Sequence, residues 1–176
     1  MMKYFLMIIA GMTVFAGCKE IDKLTHFNMD YNETVTIPST IGINVPFNMF
    51  TPDITTNSEE TFEINDTRKD LIEEIVLKEM TLEVASPAGE DFSFLKSIEI
   101  FINADDLDEQ KIAWKEVTGT VGNKLELETS SADLKDYIKK DSFTLRIKTV
   151  TDELLLSDYD INIYSKFFVD AKILGI

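Results

Sequence analysis

The stretch SFTLRIKT, residues 142–149, decides the fold of this chain. Its apolar side chains Phe143, Leu145 and Ile147 alternate with polar ones. Successive side chains of a β-strand point to opposite faces, so this period of two predicts a strand with one apolar and one solvated face. Such strands favour an antiparallel sheet, because strands buried in a parallel sheet are apolar on both faces.

The same alternation recurs along most of the chain. It is visible in TVTI (34–37), TFEI (61–64), KEMTLEVA (78–85), KSIEIFIN (96–103), KIAWK (111–115), KLELET (124–129) and INIYSKFFVDAKI (161–173). We therefore predict an all-β fold in which two antiparallel sheets pack face to face as a β-sandwich. Within KIAWK, Trp114 shares its parity with Ile112, which predicts that the Trp114 ring packs in the core.

Two segments show helical spacing instead. NDTRKDLIEEI (65–75) offers Asp66 or Thr67 as an N-cap and brings Leu71 and Ile75 to one side. SSADLKDYIKKD (130–141) offers Ser131 as an N-cap. It brings together side chains that we interpret as core contacts: Leu134, Tyr137 and Ile138. We predict two short helices that cover an edge or an end of the sandwich.

Composition limits the classes of function. The 176 residues include 17 Lys and Arg against 32 Asp and Glu, which gives a net charge of -15. This charge repels nucleic-acid phosphates and anionic lipid headgroups, and the sequence contains no basic stripe. We therefore expect no nucleic-acid partner. The single cysteine excludes both an internal disulfide framework and a cysteine-rich zinc site.

The amino-terminal residues 1–17, MMKYFLMIIAGMTVFAG, have the order of a secretory signal peptide. Lys3 gives a positive start, residues 4–15 are uncharged and mostly apolar, and the small residues Ala16 and Gly17 follow. The apolar segment is shorter than the about 20 residues that a membrane-spanning helix needs.

Cys18 comes directly after this segment and completes FAGC (15–18). This motif resembles the lipobox of bacterial envelope lipoproteins, although Phe15 stands where leucine is usual. The resemblance implies that the Cys18 sulfur carries a diacylglycerol and that the chain is cut just before it. The absence of an aspartate after Cys18 further implies an outer-membrane location, on either the periplasmic or the external face.

These observations predict three parts of the chain: a signal peptide (1–17), a lipidated cysteine with a flexible tether (18–32) and a β-sandwich domain (33–176). The one histidine, His26, falls in the predicted tether, where it could not be held beside a nucleophile. The chain as a whole resembles small β-sandwich lipoproteins of gram-negative envelopes.

Two groups of side chains are candidates for binding. Asp105, Asp106 and Asp108, in NADDLDEQ (103–110), could supply oxygen ligands to Ca²⁺, or could simply form a solvated acidic loop. No other cofactor is expected. The aromatic side chains that could form a sugar-stacking platform, unless they pack in the core, are Trp114, Tyr137, Tyr159 and Tyr164.

The sequence therefore predicts a non-enzymatic, lipid-anchored envelope protein that binds a protein or glycan partner. Two alternatives stay open at this point. One is a polysaccharide hydrolase, which would need two carboxylates across a substrate cleft. The other is a structural subunit of a surface appendage or envelope complex, which an unpaired apolar edge strand would favour.

Overall fold

A computed structural model of the chain describes residues 26–172. The predicted signal peptide, Cys18 and the end of the last predicted strand, at Ile173, lie outside the described residues. Within the described part, no helix is long and apolar enough to cross a membrane.

The described residues form ten strands and two α-helices, with one 3-10 helix. In chain order these are β1 (His26–Ile37), β2 (Phe47–Phe50), β3 (Ile54–Thr55), α1 (Ser58–Ile64), the 3-10 helix (Lys69–Leu71), β4 (Ile72–Ser86), β5 (Leu95–Asn103), β6 (Gln110–Glu116), β7 (Lys124–Glu126), β8 (Glu128–Thr129), α2 (Lys135–Ile138), β9 (Ser142–Thr151) and β10 (Tyr159–Ala171).

The strands build two antiparallel sheets, so the predicted β-sandwich is confirmed. The four-stranded sheet has the order β1-β10-β4-β7, and the six-stranded sheet has the order β2-β9-β5-β6-β8, with β3 also paired to β9. In β9 the side chains of Phe143, Leu145 and Ile147 are buried, as their alternation predicts. Phe143 meets Phe167 of β10 edge-on, with ring centroids 6.1 Å apart, so aromatic contacts join the two sheets.

Strand β1 is described from His26 onward, so folded structure lies before the predicted domain start at Glu33. Residues 26–32, which we predicted to be tether, form the first half of β1 and pair with β10 from Asp170 to Tyr164. Phe27, Met29 and Tyr31 share the inner face of this segment and pack against the core, so the same alternation was present here and was missed in the sequence.

The first predicted helix is wrong in position. TFEI (61–64), predicted as a strand, lies in α1, where Phe62 is fully buried. Residues 72–75, predicted as helical, begin β4. Asp66 has a left-handed backbone (φ 54°), which does not continue a helix, and the Thr67 hydroxyl donates to the Lys172 carbonyl at 2.6 Å. Contacts to the far end of the chain therefore override the helical spacing.

The second predicted helix is confirmed as α2, although it is shorter than predicted. Leu134, Tyr137 and Ile138 are buried, as expected. Asp133, not Ser131, accepts the backbone N–H of Lys135 and also that of Ile75 in β4, each at 3.1 Å. The same carboxylate thus begins the helix and attaches it to the four-stranded sheet.

Because the strands are antiparallel, the loops that connect them lie at two opposite ends of the sandwich. The end that we call the tip carries the loops 38–46, 87–94, 117–123 and 152–158. Backbone hydrogen bonds tie these loops together, from Asn44 to Thr151 and from Phe92 to Gly122. His26 and Lys172, the two ends of the described chain, lie at the opposite end together with both helices.

Candidate functional site

Two rows of side chains cross the solvent face of the six-stranded sheet. In the first row, Phe50 of β2 lies opposite Arg146 of β9, which lies opposite Phe101 of β5. The second row crosses five strands and consists of Asn48, Lys148, Glu99, Trp114 and Glu128. Adjacent strands are about 4.8 Å apart, so this second row spans about 19 Å. We call these two rows, with Lys111 and Glu109, the platform.

A β-bulge places Trp114 on the platform. The register shifts between Ile100 and Phe101, so that Ala113 pairs with Ile100 while Lys111 pairs with Phe101, and Ile112 is left over. Ile112 and Ala113 are consequently both buried. The parity then inverts, Trp114 turns to the solvent face, and our prediction of a core tryptophan is wrong. A bulge that re-aims a side chain in this way is a recurring device near functional sites.

The Trp114 ring is held by its neighbours on the sheet. Its Nε1–H donates to Glu128 Oε2 of the next strand at 3.1 Å. The Lys111 Nζ lies 5.2 Å from the ring centroid, within range of a cation–π interaction. These two contacts hold the half-buried indole in one defined orientation on the solvent face.

Arg146 is the most constrained charge on the platform. Its guanidinium donates two hydrogen bonds to the Glu109 carboxylate, both at 2.6 Å, and a third to Asn48 Oδ1 at 2.6 Å. It also lies 4.0 Å from the centroid of the Phe101 ring. The Arg146 hydrogen bonds lower the pKa of Glu109, and the same pairing raises the pKa of Arg146. Both groups are therefore charged throughout the physiological pH range.

A second ion network lies beside the first. Glu99 accepts hydrogen bonds from Lys148 at 2.8 Å and from Lys111 at 3.1 Å, and these bonds lower its pKa. The platform thus contains three cations, Arg146, Lys148 and Lys111, and three carboxylates, Glu99, Glu109 and Glu128. Its net charge is zero, on a chain whose net charge is -15.

The platform accordingly combines aromatic rings with oriented polar groups on regular strands. Phe50 leaves 63% of its surface exposed, and Phe101 and Trp114 are half-buried on the solvent face. Side chains on sheet strands are positioned more accurately than side chains on loops. Such a surface suits a neutral ligand that offers both apolar faces and hydroxyl groups.

The structure does not bring the four aromatic candidates together. Tyr137 and Tyr159 are buried, and their hydroxyls donate to the Asp108 carbonyl and to Glu90. Tyr164 lies on the solvent face of the other sheet, beside Lys166. Phe50, Phe101 and Arg146 were not predicted to be site residues. Phe101 could have been found from its parity, which is opposite to that of the isoleucines around it.

The three candidate calcium ligands, Asp105, Asp106 and Asp108, lie in the β5–β6 loop. Their neighbour Glu109 is engaged by Arg146. Within residues 26–172, no group of three or more His, Cys, Asp or Glu side chains is arranged to hold a metal ion. The geometry therefore lends the calcium hypothesis no support, and it stays a prediction from sequence.

The inner face of the edge strand β1 carries an unexpected carboxylate, Glu33. It has the parity of the buried Met29 and Val35 and pairs with the buried Ile163. Burial raises the pKa of Glu33. An inward-pointing charge is one way in which natural sheets prevent pairing at an open edge. β1 is thus not the unpaired apolar edge that would favour the structural-subunit alternative.

We expect Glu33→Gln to stabilise the protein at pH 7 and to have little effect below about pH 4. Because the folded-state pKa lies above the unfolded-state pKa, ionised Glu33 opposes folding. That penalty grows as the pH rises through the two pKa values and is complete above the folded one. Thermal melts at both pH values measure the difference. Asp30→Asn, on the solvent face of β1, is the control. An equal change in melting temperature at both pH values would contradict the expectation.

The solved structures that resemble this chain share only its fold class. No family model matches the chain, and no curated protein does either. A structure of Desmodium yellow mottle tymovirus is 9% identical with a TM-score of 0.33, over 86% of this chain and 90% of the other. CpGH89CBM32-5 from Clostridium perfringens, solved in complex with GalNAc-β-1,3-galactose, is 9% identical with a TM-score of 0.27, over 81% and 97%.

A structure of carbohydrate-binding modules from the β-sandwich superfamily is 14% identical with a TM-score of 0.30, over 87% of this chain and 58% of the other. Similarity at this level supports no argument about function. The function must therefore be inferred from the side chains of the platform.

Proposed function

We propose that this protein is a lipid-anchored envelope protein whose platform binds a neutral glycan. The observation that carries the proposal is the bulge-directed exposure of Trp114 in a row of aromatic and paired charged groups. The lipid anchor is taken from the resemblance of FAGC (15–18) to a lipobox, and it is tested separately below.

The chemistry of the platform matches that of a sugar. A pyranose ring has C–H groups on its faces and hydroxyls at its edge. The Trp114 ring can pack against such a face, while Glu99 and Glu128 can accept hydrogen bonds from hydroxyl groups and Lys148 can donate hydrogen bonds to hydroxyl oxygens. Because the charges of the platform balance one another, direct contacts within it do not select an anionic or a cationic ligand, and the net charge of -15 of the whole chain repels anions.

The ionisation state of the platform favours binding over hydrolysis. A glycosidase needs one carboxylic acid with a raised pKa, so that it is protonated and can donate to the leaving group. On the platform, hydrogen bonds from Lys148 and Arg146 lower the pKa values of Glu99 and Glu109. These two groups are therefore acceptors of hydrogen bonds and are poor general acids. We propose a non-catalytic role on this ground.

Trp114→Ala tests the platform directly. We expect the purified full chain to bind at least one neutral oligosaccharide on a glycan array, and Trp114→Ala to weaken that binding about tenfold or more, measured by calorimetry. Tyr164→Ala, on the solvent face of the other sheet, is the matched control and should bind as the wild type does. Equal losses in both variants, or binding confined to charged glycans, would refute the proposal.

A further inference from the structure

The tip of the sandwich presents two loops that lie side by side. The backbone N–H of Asn44, in loop 38–46, donates to the Thr151 carbonyl at 2.7 Å, where loop 152–158 begins. Where that loop ends, Asp158 Oδ1 accepts the Ser39 N–H at 2.8 Å and the Ser39 hydroxyl at 2.9 Å. The two loops are thus joined at both of their ends.

These loops expose aliphatic side chains. Leu155 is buried and anchors loop 152–158, so its neighbours Leu154 and Leu156 project to solvent on either side of it. The exposed set, which we call the tip patch, is Ile43 (40% exposed), Val45 (55%), Leu154 (65%) and Leu156 (99%). Single exposed aliphatic residues are common, but several on adjoining loops mark an interaction surface. Leu156 in particular contributes almost nothing to the fold.

The tip is also strongly acidic. Its four loops contain no Lys or Arg, and they contain these carboxylates: Glu90, Asp91, Asp152, Glu153 and Asp158. Lys96 of β5 also reaches the tip, where its Nζ donates to Asn44 Oδ1 at 2.9 Å, so the carboxylates outnumber the cation there. The pKa of Tyr159 reflects this negative charge in part. Its pKa is raised to about 12, first by burial, then by its hydrogen bond to Glu90 and by the charges of Glu90, Asp91 and Glu153.

We propose that the tip patch docks a cationic, apolar segment of a partner protein. The exposed leucines supply the apolar contact, and the surrounding carboxylates attract positive charge to it. A second copy of this chain would bring the same carboxylates into opposition, and an anionic lipid surface would be repelled by them. The tip lies opposite the terminal end of the domain, and the tip patch shares no residue with the platform, so the two proposed surfaces can be tested separately.

The test uses the photoreactive residue p-benzoylphenylalanine in place of Leu156, in the full chain and in the cells that naturally make it. After irradiation, mass spectrometry maps the segment to which position 156 is linked. We expect a segment of another protein that carries Lys or Arg among apolar residues. The same residue placed at Ile64, an exposed aliphatic position on α1 (73% exposed), is the control and should not link to that segment.

A synthetic copy of the mapped segment then measures affinity for the full chain. Leu154→Ser with Leu156→Ser should weaken binding about tenfold or more without changing the melting temperature, because both side chains are already exposed. Asp152→Lys with Glu153→Lys should slow association and reduce its dependence on salt. Trp114→Ala should have no effect, which separates this surface from the platform. A link to lipid, to a second copy or to an acidic segment would overturn the proposal, as would no link at all.

Discussion

Phe167→Ala is expected to remove a large part of the protein's folding stability. Phe167 is fully buried in β10, and its ring meets Tyr31 of β1 and Phe143 of β9, with centroids 5.7 Å and 6.1 Å away. Removing a buried phenylalanine ring costs about 3–5 kcal/mol, against a total stability of about 5–15 kcal/mol. The cost should fall in the upper part of that range, because the cavity would lie between two sheets that have few ways to collapse.

Urea denaturation followed by circular dichroism measures this loss. Phe168→Ala, one residue further along the same strand, is a closely matched control. Phe168 is only half-buried, on the solvent face, where it contacts His26 and lies 5.2 Å from Lys78 Nζ. We expect it to cost about 1 kcal/mol or less. Comparable losses at both positions would mean that the two faces of β10 are not the buried and solvated faces described above.

Cys18→Ser is expected to remove the protein from the membrane fraction or to stall its processing. The proposed anchor consists of acyl chains on Cys18, each contributing about 0.8 kcal/mol per buried methylene, so that two or three chains hold a protein almost permanently. A serine hydroxyl cannot carry the thioether-linked lipid, and the net charge of -15 offers no electrostatic attraction to anionic headgroups.

Fractionation of cells, with detection of the chain in membrane and soluble fractions, measures this effect. Lys19→Ala keeps Cys18 and is the control for changes at this site; it should stay in the membrane fraction. If Cys18→Ser leaves both membrane partition and processing unchanged, the lipoprotein proposal is wrong, whereas the platform and the tip patch are unaffected.

The sequence predicted the sandwich because alternation is a local property. Phe143, Leu145 and Ile147 had to share a face whatever their partners were, and the same holds for the isoleucines of KSIEIFIN (96–103). α2 was predicted for a similar reason, since Leu134 and Ile138 come together only on a helix. Faces and fold class therefore followed from spacing within short segments.

The platform could not be predicted in the same way. Trp114 reaches solvent only because Ile112 is an extra residue opposite β5, and such a bulge depends on how two strands pair. Arg146 gains its role from Glu109 and Asn48, which are distant in sequence. No local pattern records contacts of this kind.

In strands that pair without a bulge, such as β9, the spacing of the sequence was enough to tell which side chains are buried, because a period of two leaves only two faces to choose between. Only the tertiary structure decided where the strands begin and what they pair with. Residues 26–32 belong to a strand because β10 pairs with them, and residues 72–75 are extended rather than helical because they pair with the same strand. Strand pairing joins residues that are distant in sequence. Its consequences therefore appear only when the chain is folded: the position of Trp114 on the solvent face and the joined loops of the tip.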